Sequence, residues 1–363
     1  MEEIRDRKEA KAVLDFIKNN DNFSIFYHLD SDGIISAVIL SEAIEKLGKS
    51  VYAFRVSNYE DFEKGIDMSY FSDNVILCDM QPTKDFIERL SSRKLCVIDH
   101  HEVIDQGSSV YINPKMWGDN TYTPCSLLMY KLFDDIVPEL DWVAAIGLIG
   151  DSGGKVNGSF IKGVAKKYSV KLKDDEYLSD NDFGLASNMI NSMTLEYGRS
   201  GAEEAVGIIK SSNSLKGLLE NHRLISASTN ANKELGLLRE YFENRKELYD
   251  ELVYFLDVDP TKKRYSSTLI TPVSLEKGYY GKIIVFMTKI NSHTLRVNIR
   301  ANGVNIKLPQ VLRETFKNIR GTGGGHDMAA AAAIRPQDEN KFKSLFLEEA
   351  KKNINQNSEI RHP

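Results

Sequence analysis

The residues best able to do chemistry stand at the ends of apolar runs. FSIFYHL carries His28 and continues into Asp30 and Asp32 of HLDSDG. NVILC ends at Asp79, KLCVI ends at Asp99, His100 and His101, and the apolar stretch of GLIGD ends at Asp151. Four aspartates gathered at one place repel one another and resist ionisation unless cations neutralise them. Carboxylate oxygens mixed with imidazole suit Mn2+, with Mg2+, Co2+ and Fe2+ as alternatives. The lack of thiolate ligands argues against structural zinc. Four aspartates and two histidines of this set suffice for two ions that share one carboxylate. Two ions roughly 3.5–4 Å apart polarise a phosphoryl oxygen and hold a bridging hydroxide as nucleophile, so no serine or cysteine nucleophile is required. Each piece alone also has a plain reading: DxDG marks calcium loops and ordinary turns, and a strand-terminal aspartate is commonly a helix cap. The combination and its order carry the argument.

The elements that position these residues follow from apolar periodicity. Residues 23–29, 50–56, 74–80 and 94–101 read as strands, with helices predicted over 33–48 and 85–92. Near-continuous aliphatic and β-branched runs alternating with helices imply a mostly parallel sheet covered on both faces. The carboxyl ends of such strands open into the crevice where ligands bind. TPCSLLMYKLFDDIV and LDWVAAIGLIGD read as two more helices, and Asp151 at the end of the second can reach the same crevice. The expected organisation is a catalytic α/β domain over 1–190, a helical connector over 191–255 and a smaller α+β domain over 256–363. The strands of the last are YSSTLITPV, GKIIVFMTK and TLRVNIRAN.

A second constellation is Gly321-Thr322-Gly323-Gly324-Gly325-His326-Asp327, followed by MAAAAAI. Consecutive glycines let backbone N–H groups converge on an anion. A helix beginning in the alanine run would add the partial charge of its N-terminus. Gly323, Gly324, Gly325 and His326 are therefore candidate phosphate-binding residues, although a glycine run alone equally suits a flexible turn.

The chain of 363 residues is 42% apolar and 27% charged, as in water-soluble globular proteins, and is long enough for two cores. The start is charged and helix-like, without an apolar leader, and no run is long enough to span a membrane, so a cytoplasmic location is expected. Cys78, Cys96 and Cys125 are widely spaced within apolar stretches and lack CxxC spacing, which marks them as reduced core residues. A net charge of −5 argues against an extensive grip on long duplex DNA. Two bound divalent ions would offset most of it, so a phosphate substrate stays compatible.

HLDSDG, the aspartate of LCDM, IDHH and the aspartate of GLIGD resemble, in order and over about residues 23–155, the four motifs of the DHH phosphoesterase superfamily. GGGH after a strand bearing an arginine resembles the DHHA1 domain that accompanies it. The superfamily includes RecJ exonucleases, archaeal RecJ-like nucleases, nanoRNases and cyclic-dinucleotide phosphodiesterases, with family II pyrophosphatases more distant. The resemblance implies that His28 and Asp30 bind a first metal, that Asp79 bridges both, and that Asp32, His100 and Asp151 bind the second. His101 would face the substrate phosphate or leaving group, and Asp99 would orient a histidine. Arg300 is the matching arginine and would clamp a phosphate. Some members carry aspartate where this chain has His28. The implied activity is end-directed hydrolysis of single-stranded DNA or RNA in a cleft between the domains, with the helical connector as hinge. The GGGHD string tilts the resemblance toward the archaeal RecJ-like group, some of which associate with replication or repair proteins. A nanoRNase, a cyclic-dinucleotide phosphodiesterase, a pyrophosphatase or polyphosphatase, and an inactive Cdc45-like scaffold are the alternatives. A scaffold loses metal ligands, whereas here every candidate ligand is present. Tyr59, Tyr111 and Trp117 are candidates for stacking on bases, with core packing as the plainer role.

Overall fold

The structure, a computed structural model, describes residues 4–57, 67–82, 84–101, 103, 107, 109–118, 122–173, 180–258, 270–271, 273–274 and 277–359. The chain divides into two compact units, Met1–Thr229 and Asn230–Pro363.

In the first unit, α1 (Lys8–Lys18) leads to β1 (Phe23–His28), α2 (Ser31–Lys46), β2 (Val51–Ser57), β3 (Asn74–Cys78), α3 (Lys84–Arg89), β4 (Lys94–Ile98) and β5 (Val110–Ile112). Six helices follow: α4 (Cys125–Phe133), α5 (Asp141–Gly150), α6 (Gly158–Tyr168), α7 (Asp182–Tyr197), α8 (Arg199–Ser211) and the short α9 (Leu215–Leu219). The strands pair in the order β2-β1-β3-β4-β5, and every pairing is parallel. The parallel sheet expected from the aliphatic runs is therefore present.

This order has a physical consequence for the site. From β1 the chain crosses to β2 on one side, then returns past β1 to β3 and continues the other way. The connections leaving β1 and β3 thus diverge, and a crevice opens between their carboxyl ends. Those ends carry His28 and Asp79. The alternation of β1 sends Phe23, Ile25 and Tyr27 into a core shared with α1, α2 and α4–α8, while Phe26 packs with Phe71, Leu77 and Phe86 on the opposite face. Thirteen of the sixteen residues of α2 are buried, which explains why its sequence is apolar all round rather than striped. Residues 191–229, expected as part of a connector, supply Met193, Ala202, Val206, Leu224 and Ala227 to this same core.

The division into units falls within α10 (His222–Arg245). The second unit continues with β6 (Glu247–Tyr249), β7 (Val253–Val258), β8 (Lys282–Lys289), β9 (Leu295–Asn302), α11 (Leu308–Thr315), β10 (Gly321–His326), β11 (Ala329–Ile334) and α12 (Glu339–Glu359). The sheet order is β10-β11-β9-β8-β7-β6, antiparallel except for β7 against β8. Val297, Ile299, Ala330, Ala332 and Ile334 pack with Leu308, Leu312, Phe342 and Phe346 of α11 and α12.

Two expectations need correction here. The glycine cluster is not a loop ahead of a helix: Gly321–His326 is the edge strand β10, and the AAAAAI of MAAAAAI forms β11. Alanine favours helices, but alternate alanines of β11 fill the core through the sheet, and that burial overrides propensity. YSSTLITPV was expected as a strand; its described residues 270, 271 and 273 are helical, and the rest lies outside the described residues.

Candidate metal centre

HLDSDG is built as a strand-to-helix turn. Asp30 is the N-cap of α2, its Oδ1 accepting the Gly33 N–H at 3.0 Å. A Cβ on Gly33 would lie 2.5 Å from the His28 carbonyl oxygen, so only glycine lets the helix begin this close to the strand end. His28 Nδ1 meets Asp30 Oδ2 at 2.9 Å and lies 3.8 Å from Asp79 Oδ2. Asp79 itself adopts φ 58°, a left-handed turn that aspartate tolerates better than most residues. Its backbone N–H stays in register by donating to the Ile98 carbonyl at 2.9 Å.

The second cluster lies on the β4 side. His100 Nε2 is 3.1 Å from Asp79 Oδ1, 3.5 Å from Asp151 Oδ2 and 4.0 Å from Asp32 Oδ2. Asp32 is fully buried and accepts the N–H groups of Cys125 and Ser126 at 2.8 and 3.0 Å, so the N-terminus of α4 helps to carry its charge. Asp151 follows the last turn of α5, and a Cβ on Gly150 would collide with the hydroxyls of Ser31 and Ser187. Glycine thus lets α5 approach closely enough to deliver the carboxylate. Tyr122 donates its hydroxyl to Asp151 Oδ2. Sequence reasoning missed Tyr122, because a tyrosine in a connecting segment carries no periodic signal; its position just before α4 is the one hint.

Asp79 belongs to the first cluster and reaches the second through His100. Ligand atoms of His28, Asp30 and Asp79 lie within 4.8 Å of one another, as do those of Asp32, His100 and Asp151, and those of Asp79, His100 and His101. Asp79 Oδ1 is buried, and although it approaches His100 Nε2 the pair is not aligned as a hydrogen bond. Two acceptor-rich groups converging without mutual hydrogen bonds fit a cation between them.

The electrostatics agree. Burial, and then the charges of Asp32 and Asp30, push the Asp79 carboxyl well above the usual range. Burial raises Asp32 despite His100 and the Ser126 hydrogen bonds. Burial and the Asp32 charge raise Asp151 to about 7. Burial alone would lower His28, but the charge and hydrogen bond of Asp30, with Asp79, raise it to about 9. Burial opposes Asp30 as well, yet the His28 charge holds its carboxyl below the ordinary range. The protein atoms alone thus leave three carboxylates uncompensated. Asp99 differs: burial would raise it, but the His101 hydrogen bond at 2.7 Å, Oδ1 to Nδ1, holds it low.

A DHH family N-terminal domain model matches residues 22–148, and a DHHA1 domain model matches residues 264–352. The chain belongs to the DHH–DHHA1 superfamily. Its fold is similar to that of RecJ from Thermus thermophilus in complex with Mn2+, at a TM-score of 0.71 and 14% identity over 97% of this chain. This chain matches 55% of that RecJ, so it spans about half its length. A manganese-bound exonuclease RecJ gives 0.66 and 15% identity, with 100% of this chain and 96% of that one covered. A pGpG-specific phosphodiesterase from a Vibrio species gives 0.55 and 12%, with 92% and 100% covered. No curated protein sequence matches the chain.

In the DHHA1 unit the two sequence motifs meet on one rung of the sheet. His326 pairs with Ala329, which pairs with Arg300. Arg300 Nε donates to Thr271 Oγ1 at 3.1 Å and Nη1 to the Ile299 carbonyl at 2.9 Å. As the edge strand, β10 leaves alternate backbone N–H groups without a partner strand. Gly325 has φ +140°, and a Cβ there would lie 2.4 Å from the Ala329 oxygen. A Cβ on Gly323 would meet the Ala331 oxygen at 2.7 Å, whereas Gly324 faces open space. Of the aromatic candidates, Tyr111 packs against the smaller core and its hydroxyl accepts from Asn113 at 2.9 Å. Trp117 packs on the main core beneath the Arg7 guanidinium. Tyr59 lies outside the described residues. Cys78, Cys96 and Cys125 are free and buried. No described helix is long and apolar enough to cross a membrane.

Proposed function

We propose that the chain is a two-metal-ion phosphodiesterase that hydrolyses single-stranded nucleic acid from an end, with Mn2+ as its ion. The observation that carries this reading is Asp79, buried at the switch point of the sheet and grouped with His28 and Asp30 on one side and with His100 and His101 on the other. His28 and Asp30 with Asp79 would hold one ion, and Asp32, His100 and Asp151 with Asp79 the other. When bound, such a pair supplies charge to the phosphoryl oxygens and lowers the pKa of water.

The chain's own groups do the rest. Ionised Asp99 keeps the Nδ1 proton of His101 and fixes the ring, so Nε2 is the nitrogen left to hold a proton for the departing oxygen. Tyr122 fixes the orientation of Asp151. The N–H groups at the N-terminus of α4 hold Asp32 in place and carry part of its charge. In the DHHA1 unit we assign phosphate contacts to Arg300, His326 and the backbone of Gly323, Gly324 and Gly325. Likeness over nearly the full length of a manganese-bound exonuclease RecJ supports the nuclease reading. The presence of every candidate ligand weighs against an inactive scaffold such as the similarly folded Cdc45 from Entamoeba histolytica. A second reading, a phosphodiesterase for very short oligonucleotides, draws support from full coverage of the pGpG phosphodiesterase.

The test is incubation with Mn2+ and end-labelled single-stranded DNA and RNA, long and very short, beside an Asp79→Ala control. Stepwise release of mononucleotides from long strands, absent in the control, supports the exonuclease and gives its polarity. Cleavage confined to oligomers of a few nucleotides moves the assignment to the second reading. No cleavage of any of them by folded, metal-loaded protein overturns both.

A further inference from the structure

The DHHA1 unit holds a cation-lined pocket that the reading above leaves unused. It lies at the opposite end of β10 from the His326–Arg300 rung, between the turn joining β8 to β9, the segment after α11 and the first residues of β10. Its volume is about 520 Å3. Arg320 and Arg335 supply its cationic side chains, His293 an imidazole, Phe316 and Ile319 its apolar wall, and Thr322 a hydroxyl; no carboxylate is among its described lining residues. Arg335 Nε donates to Asp338 at 2.8 Å, which leaves the rest of its guanidinium available. Arg320 is exposed and makes no hydrogen bond or ion pair among the described residues.

This combination is selective. Exposed arginines normally meet nearby acids in a chain as acidic as this one, so a pocket with cations and no acid among its lining residues favours an anion. The wall is apolar and partly aromatic, which favours an anion carrying a flat apolar body over a bare inorganic ion. The wall is also fixed in place: a Cβ on Gly321 would lie 2.5 Å from Phe316 Cε1, so glycine lets the ring lie against β10.

We propose that this pocket is a nucleotide subsite, with the phosphate on Arg320 and His293 and the base against Phe316 and Ile319. Gly321 and His326 are five residues apart on β10, about 17 Å at strand spacing. An extended single strand of a few nucleotides spans that distance along the edge of the sheet. The pocket is thus an anchor for substrate strands long enough to pass the His326–Arg300 rung. The assignment of the substrate strand as the source rests on the proposed nuclease activity; the preference for a nucleotide phosphate does not.

The test is binding by the full chain in EDTA, so that hydrolysis plays no part. Fluorescence anisotropy of a labelled trinucleotide and a labelled dodecanucleotide is followed over a salt series for the native chain, Arg320→Ala and Arg320→Glu. Arg320 is exposed and unpaired, so both variants should fold, which circular dichroism checks. The expected result is about tenfold weaker dodecanucleotide binding in Arg320→Ala, with the slope of log affinity against log salt reduced by about 0.7. Arg320→Glu should weaken it further, and trinucleotide binding should weaken less, because so short a strand barely reaches from the rung to the pocket. Equal dodecanucleotide affinity and slope in all three proteins overturns the subsite. AMP binding that is lost in Arg320→Glu supports the nucleotide pocket and assigns free nucleotide as its source. Inorganic phosphate competing as well as AMP overturns the role of the apolar wall. Failure of the nuclease assay leaves these readouts untouched, so the two readings fail separately.

Discussion

The uncompensated carboxylates predict how the metal-free protein should respond to pH. Asp151 rises from an ordinary 3.8 to about 7 on folding. Between those values the folded state binds a proton that the unfolded state has released, so stability falls as pH rises through the window. Three units at about 1.4 kcal/mol each give about 4 kcal/mol as an upper bound. The Asp151 side chain keeps 29% of its surface exposed, so solvent screens part of this and about 2 kcal/mol is the working figure. His28 acts in the same direction: its raised value, about 9, gives stability that is present below its unfolded value and lost as pH rises through 9. Asp30 and Asp99 are lowered, and their contribution disappears only on acidification below the ordinary aspartate range. The metal-free protein should therefore be most stable at about pH 4 and lose stability steadily as the pH rises from there. Raising the pH from 5.5 to 8 crosses about half of the Asp151 window, about 1 kcal/mol, and should lower the Tm by roughly 2–4 °C, at about 2–4 °C per kcal/mol for a unit of this size. Mn2+ should reverse the loss at pH 8 and do much less at pH 5.5, where protons compete for the same oxygens. Differential scanning fluorimetry at both pH values, with EDTA or Mn2+, reads this directly. A metal-free Tm that is flat or rising between pH 5.5 and 8, or an equal Mn2+ shift at both, refutes the reasoning.

Other perturbations separate folding from chemistry. Gly325→Ala forces a Cβ against the Ala329 oxygen at φ +140° and should cost about 2–4 kcal/mol by urea denaturation. Gly324→Ala meets nothing within 4 Å, so it should change stability by less than about 0.5 kcal/mol while weakening oligonucleotide binding. Asp99→Asn should lower kcat about 10–100-fold with Mn2+ affinity by calorimetry nearly unchanged, because the Asp99 side chain hydrogen-bonds the His101 ring. A parallel fall in Mn2+ affinity would place Asp99 or His101 among the ligands instead. Gly33→Ala pushes the start of α2 away from His28 and should lower both Tm and Mn2+ affinity; unchanged affinity would mean that His28 and Asp30 do not act together.

The first unit was legible because its strands are buried on both faces. Continuous aliphatic runs mark such strands, and each run stops at the residue that leaves the sheet, so His28, Asp79 and Asp99 announce themselves as strand ends. The strand order was not legible, since pattern gives each strand but not its neighbour. The glycine–alanine segment misled for a related reason. Ala329–Ile334 has no branched or aromatic residue before Ile334 to signal a strand, and only its pairing between β9 and β10 shows which alanines face the core. Local propensity favoured helix, and long-range pairing decided otherwise. The interactions of Tyr122 with Asp151, and of the α4 N-terminus with Asp32, join residues far apart in the chain and leave no trace in spacing.

The most direct measurement of the central claim is the anomalous scattering of manganese in crystals grown with Mn2+. The account predicts two manganese sites that share Asp79, one completed by His28 and Asp30 and the other by Asp32, His100 and Asp151. A single site, or manganese bound away from Asp79, would contradict it.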